Sequence, residues 1–296
     1  MRIVWLPIFG AVLAALALCQ DPVPVWPANG AVPSGLNGKR VFLTKDREEI
    51  VVLLPSPDGR QRALRVPLHN RISARLAVSI TAGGGQYRFA YTLSNTPKSR
   101  DAVTGWSLVI TPNGPGFEMS GEPWPGAPTS MPIIKQIGLD LPPGGIAMWS
   151  PPDERHPLEP GESAAGFWIS SAEKPGFTTA YVGHFPPFDA SQDWPEEVLI
   201  QLSLLGDPAW SDQHIVTFGP RFLPGSPRVA IAADFAAGIK KLIGSGNLGQ
   251  GSALVQEMLR KLPGVRDDQA GLAVESKPVT PFESELKEAL LLSLGR

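Results

Sequence analysis

The chain has 296 residues, of which 43% are hydrophobic and 18% charged, with a formal net charge of −2. The near-zero charge argues against a nucleic-acid binder, which needs a basic face, and the sequence offers no polybasic patch to hold the chain on an anionic membrane. Pro and Gly make up about a fifth of the chain, below the share that marks disorder, and eight Trp with twelve Phe supply material for a packed core.

Residues 1–19 read as a signal peptide. Arg2 is the only charge before Asp21, and Ile3 to Leu18 is apolar apart from Pro7 and Gly10. The stretch is shorter than the ~20 apolar residues that cross a bilayer as a helix, and no later segment is long and apolar enough to span. The reading is export to the periplasm or the exterior. The exit leaves two fates open. Ala17 and Cys19 suit cleavage before Gln20, whereas Leu16-Ala17-Leu18-Cys19 resembles a bacterial lipobox in which Cys19 would carry lipid. Leu18 stands where that pattern wants a small residue, which favours soluble release. Cys19 is the only cysteine, so no intrachain disulfide can form and stability rests on the core.

Residues 20–38 are rich in Pro, Gly and Ala and read as a linker. Residues 39–225 follow as one β-sandwich region. Ile50–Leu54 is a continuous apolar run, and Ser56-Pro57-Asp58-Gly59 a turn. The returning segment alternates through Leu64, Val66 and Leu68, with Pro67 marking an edge strand. Ile72, Ala74, Leu76, Val78 and Ile80 then alternate with polar or small residues. A turn at Thr81–Gly85 leads to Tyr87, Phe89, Tyr91 and Leu93, and Trp106, Leu108 and Ile110 make a third such strand. A period of two over these lengths predicts strands with one dry face and one wet face. Residues 111–132 read as a long Gly/Pro loop carrying Phe117 and Trp124. Strands are expected again at Ile133–Leu141, Gly145–Trp149, Ala164–Ser170, Phe177–Phe185, along Val198, Ile200, Leu202 and Leu204, and at Ile215–Phe218. Even spacing without intervening helices predicts a mainly β fold, an antiparallel β-sandwich of immunoglobulin-like or jelly-roll-like kind. The likeness to an immunoglobulin domain is one of strand rhythm, since the Cys…Trp…Cys signature is absent.

Residues 228–296 form a C-terminal helical segment. Ile231, Phe235, Ile239, Leu242 and Ile243 recur at helical spacing, as do Leu254, Val255, Met258, Leu259 and Leu262, with a glycine-rich joint between. Pro281 can start a last helix through Phe282, Leu286 and Leu290. In Phe235, Ile239, Leu242, Gly246, Leu248, Ala253, Leu259, Lys261 and Leu262 the hairpin resembles the FIMAH module of secreted and surface-associated bacterial proteins. That resemblance covers about thirty residues and implies a non-catalytic appendage outside the cytoplasm.

Gly244, Gly246 and Gly249 spell G-x-G-x-x-G, but the dinucleotide fingerprint needs a strand before it, and here a helix precedes. His69, His156, His184 and His214 have no ligand spacing, so neither a metal nor a cofactor is expected. The loop from Pro151 to Glu162 concentrates titratable groups. Asp153, Glu154, His156 and Glu159 are its candidates for acid/base work, against the plainer reading of a solvated loop. No serine sits in a nucleophile elbow. Trp124, Trp168, Trp194 and Trp210 are the candidate binding residues, against the plainer reading of core or rim packing. Trp168 lies between Phe167 and Ile169, so its ring points to the opposite face from theirs. The expected function is that of an exported, non-enzymatic protein, binding, adhesive or structural, with carbohydrate or another envelope protein as partner. The alternative is a secreted hydrolase built on the Asp153–Glu159 loop.

Overall fold

The structure, a computed structural model, describes residues 24–27, 39–55, 60–67, 71–110, 116–122, 124–130, 145–151, 157–183, 198, 201, 213–268 and 271–295. The leader, Cys19, the turn at 56–59 and the strand expected at 133–141 lie outside these residues.

The chain divides into two compact units. The first comprises residues 1–69 with 189–209. It holds a three-stranded antiparallel sheet of β1 (Val41–Leu43), β2 (Glu49–Pro55) and β3 (Gln61–Pro67), with β2 in the centre. The uninterrupted apolar run of β2 is explained by burial on both faces. Ile50, Val52 and Leu54 pack with Val41 and Val198, while Val51 and Leu53 pack with Trp26 and Phe42. Trp26 meets Phe42 edge-on at 5.3 Å and its backbone N–H donates to Leu43 O, so part of the expected linker belongs to the fold. Val198 and Gln201 are helical, which corrects the strand expected there. Gln201 Oε1 accepts hydrogen bonds from Arg40 N (2.8 Å) and Val41 N (3.0 Å), two backbone donors that precede and open β1. This long-range pairing explains why a segment so far along the chain joins the first sheet.

The second unit, residues 70–188 with 210–296, is an antiparallel β-sandwich with a C-terminal helical segment. One sheet has the order β4-β5-β10-β7, from β4 (Ala74–Gly83), β5 (Gln86–Asn95), β10 (Ser163–Ser171) and β7 (Glu118–Ser120). The other has the order β12-β11-β6-β9-β8, from β12 (Gln213–Phe222), β11 (Lys174–Gly183), β6 (Gly105–Ile110), β9 (Gly145–Trp149) and β8 (Gly126–Ser130). The Gly/Pro-rich stretch expected as loop therefore contributes two short strands, β7 and β8.

The alternation holds where it was clearest. Ala74, Leu76, Val78 and Ile80 of β4, and Phe89, Tyr91 and Leu93 of β5, are buried, and their neighbours face outward. Gly84 and Gly85 both have positive φ (61° and 80°), as the two-residue hairpin linking β4 to β5 requires. An aromatic cluster fills the space between the sheets. Trp106 stacks on Trp149 at 4.1 Å, and Tyr91 and Phe167 meet Trp106 edge-on at 5.5 and 5.4 Å. Polar contacts also join the two sheets: the Tyr91 hydroxyl donates to Phe218 O (3.1 Å), and Trp149 Nε1 donates to Ser120 O (3.1 Å). Burial raises the Tyr91 phenol well above its ordinary pKa, so it remains a donor.

The helices are α1 (Arg228–Gly244), α2 (Ala253–Lys261) and α3 (Pro281–Leu294). The glycine joint between α1 and α2 is a helix stop. Gly246, at φ 75°, follows the C-cap Ser245, Gly246 N donates to Ile243 O, and Asn247 N donates to Leu242 O. Thr280 caps α3 by accepting from Glu283 N, and the Glu283 carboxylate returns to accept from Val279 N. These helices share the sandwich core: Phe235 packs on Phe177, Phe282 on Phe218, and Leu286, Ala289, Leu290 and Leu294 are fully buried.

An edge strand exposes unpaired backbone groups, and β4 is such an edge. The Gln213 amide accepts from Ala74 N and donates to Ala74 O, and Glu285 Oε1 of α3 accepts from Val78 N (3.3 Å). Burial at this edge, with a smaller push from Glu288 and against the pull of the Val78 N–H, moves the Glu285 carboxyl up to about 7. Below the ordinary value of 4.5 it is protonated whether the chain is folded or not. Between there and about 7 the unfolded chain has released the proton that the folded chain keeps, so stability falls as pH rises across that window. Thermal unfolding followed from pH 4 to 8 should show this decline in the wild type, and a flatter profile in Glu285→Gln.

Candidate functional site

The outward face of the β4-β5-β10-β7 sheet is built largely from small or polar side chains: Ala77, Ser79, Ala90, Thr92, Ala165, Ser170 and Ser120. One large aromatic, Trp168, stands among them, half-buried, while Phe167 and Ile169 beside it are fully buried.

A backbone irregularity puts Trp168 there. Along β10, Ala164 faces the core, so strict alternation would turn residues 166 and 168 inward as well. The pairing with β5 runs Ala164↔Leu93 and Ala165↔Thr92, then resumes at Phe167↔Tyr91 and Trp168↔Ala90. Gly166 is the extra residue of a β-bulge, with φ 101°. After it the phase is reversed, with Phe167 inward and Trp168 outward. A Cβ at position 166 would lie 2.6 Å from Glu122 O, so only glycine lets the segment after β7 come this close.

Around Trp168 is a shallow depression of about 270 Å³, lined by Arg88, Ala90, Ser120, Glu122, Gly166 and Trp168. The Arg88 guanidinium lies 4.2 Å from the centre of the Trp168 ring, a cation–π contact. The register sets Ala90 and Ser120 on either side of Trp168. Arg88 lies two residues from Ala90 in one direction, and Glu122 two residues from Ser120 on the other flank. Neither Arg88 nor Glu122 forms an ion pair among the described residues. The site therefore presents an indole face, a planar donor and a carboxylate acceptor at the surface.

The other expected site residues fare differently. Of the candidate binding residues, Trp124 follows the plainer reading of core packing, being 1% exposed with its ring 5.7 Å from Phe167. Glu159 is exposed, and its backbone N–H donates to Glu162 Oε2 (2.9 Å). Asp153, Glu154, His156, Trp194 and Trp210 lie outside the described residues, as do His69 and His184. His214 is exposed on β12, with its ring edge-on to Tyr181 at 4.6 Å. No group of three or more His, Cys, Asp or Glu is placed to hold a metal among the described residues. No helix among them is long and apolar enough to cross a membrane. Arg88, Ser120 and Glu122 were not foreseen, because segments far from Trp168 in sequence bring them beside it.

No family model and no curated protein matches the chain. Among solved structures, the chain is similar to an uncharacterized protein from Nocardia farcinica with an immunoglobulin-like fold (15% identity, TM-score 0.27), over 44% of this chain and 93% of that one. It is also similar to a biomass-sensing module of the Rsgi2 protein of Clostridium thermocellum, described as resembling the family 3 carbohydrate-binding module of the cellulosome (11% identity, TM-score 0.25). That likeness covers 51% of this chain and 93% of the module.

Proposed function

We propose that this is an exported, non-enzymatic protein of the cell envelope or exterior that binds its partner on the outer face of the β4-β5-β10-β7 sheet. The observation that carries the reading is the bulge at Gly166, which holds an indole at the surface when the strand's own alternation would bury it. Keeping a large aromatic at the surface forgoes burial that stabilises a fold, and exposed aromatics beside an arginine are what binding surfaces use as anchors. The apolar leader supports export, and the helical hairpin, in its likeness to the FIMAH module, fits a location outside the cytoplasm.

The purified protein should co-sediment with the envelope fraction of the cells that produce it, and Trp168→Ala should weaken that association about tenfold or more. The substitution removes a half-exposed ring, so its thermal unfolding should stay close to that of the wild type. Equal co-sedimentation of the two proteins would overturn the reading.

A further inference from the structure

We propose, resting on the binding face just described, that its occupant is an uncharged glycan chain, with one pyranose ring set against Trp168. Three observations point to this. The first is the platform. An indole face is electron-rich, and the C–H-bearing side of a sugar ring is complementary to it, being apolar with a partial positive charge. The Arg88 guanidinium covers one side of the indole, 4.2 Å from the ring centre, so the sugar meets the opposite side.

The second is the pattern of charge. Arg88 offers only donors and Glu122 only acceptors, one on each flank of the tryptophan, and neither is neutralised by another described side chain. A pair of sugar hydroxyls can accept from the guanidinium on one side and donate to the carboxylate on the other, and hydrogen bonds to charged groups are the strong ones. A polyanion would gain at Arg88 and lose at Glu122, and a polycation the reverse. An uncharged chain satisfies both.

The third is shape. Pockets that enclose a small molecule hold roughly 300–1,000 Å³. This depression holds about 270 Å³ and opens onto an exposed face made mostly of Ala, Ser and Thr, with Arg75 and Glu118 also on it. It can seat one ring but cannot surround a free molecule, so the remainder of the ligand must run over the sheet, as a polymer does. A protein partner would be expected to meet several clustered aromatic and aliphatic anchors, and Trp168 is the one large aromatic on this face among the described residues.

The test is affinity electrophoresis of the full purified protein in gels containing a soluble neutral glucan or mannan, polygalacturonate, or chitosan. We expect retardation by at least one neutral polymer and by neither charged one, with little change when salt is raised to about 0.5 M, since no net charge is being paired. Trp168→Ala should weaken the retardation about tenfold or more, and Trp168→Tyr should restore most of it. Retardation by polygalacturonate or chitosan alone overturns the proposal. Absence of retardation in every gel, with envelope association still lost in Trp168→Ala, also overturns it and leaves the binding face standing with a different partner. Failure of both assays to respond to Trp168→Ala removes the face as well.

Discussion

Replacing Trp106 with alanine is expected to cost about 3–5 kcal/mol of folding stability, the usual range for deleting a buried large aromatic. The side chain is fully buried and touches Trp149, Tyr91 and Phe167, so the lost contacts come from both sheets at once. Against a total stability of roughly 5–15 kcal/mol, the variant sits near the edge of folding. Urea unfolding followed by tryptophan fluorescence should show a much lower midpoint with a similar slope. A paired comparison sharpens the expectation. Trp106 Nε1 is buried without a hydrogen-bond partner among the described residues, whereas Trp149 Nε1 donates to Ser120 O. Phenylalanine at 106 therefore removes an unsatisfied donor along with some volume, and at 149 it removes volume and strands a carbonyl. Trp149→Phe should be the more damaging by about 1 kcal/mol or more. Equal losses in the two variants would contradict the hydrogen-bond assignment.

A chain ending at Thr280 should fail to accumulate as a soluble monomer. The missing helix α3 buries Leu286, Leu290 and Leu294 completely, and at roughly 1.5–3 kcal/mol for each such side chain its removal is comparable with the whole stability of a domain. The loss is also directional. Glu285 no longer accepts from Val78 N, and β4 becomes a long edge with an apolar face and an open backbone. Aggregation through that edge is the expected failure, seen as void-volume elution in size-exclusion chromatography and strong binding of a hydrophobic dye. A soluble monomer with an unchanged urea midpoint would show that the tail is dispensable and would contradict the shared core.

The sandwich was legible wherever neighbouring residues carried the signal. Leu76, Val78, Phe89, Tyr91 and Trp106 alternate because each strand they lie on has one dry side, and a period of two is visible without knowing any partner strand. That the segment around Gln201 belongs with the first sheet was not legible, because it depends on a side chain reaching the backbone ahead of β1 from some 160 residues away. Nor were β7 and β8, since a strand as short as Glu118-Met119-Ser120 is defined by its neighbour β10 and not by its composition. The alternating Val198, Ile200, Leu202 and Leu204 misled, as Val198 and Gln201 are helical and four apolar residues are too few to separate the two periods. Trp124 was assigned by its setting in a Gly/Pro-rich stretch, which says nothing of what the ring packs against. At the site, Trp168 could be picked out from its own neighbours in sequence. The residues that give it a chemical setting could not, because the register of β5, β10 and β7 is a property of the folded sheets.

Gly166 carries one more consequence. The outward indole depends here on one surplus residue being looped out of the ladder. Removing a single amino acid between Ala164 and Phe167 would leave every functional group in the protein intact. It would also close the bulge into a regular ladder with Phe167 and Ile169 still inward and the indole still outward, because Ala165 and Phe167 already face consecutive residues of β5. A residue kept at 166 must instead accept φ 101° beside Glu122 O, which glycine does and a residue with a Cβ does not.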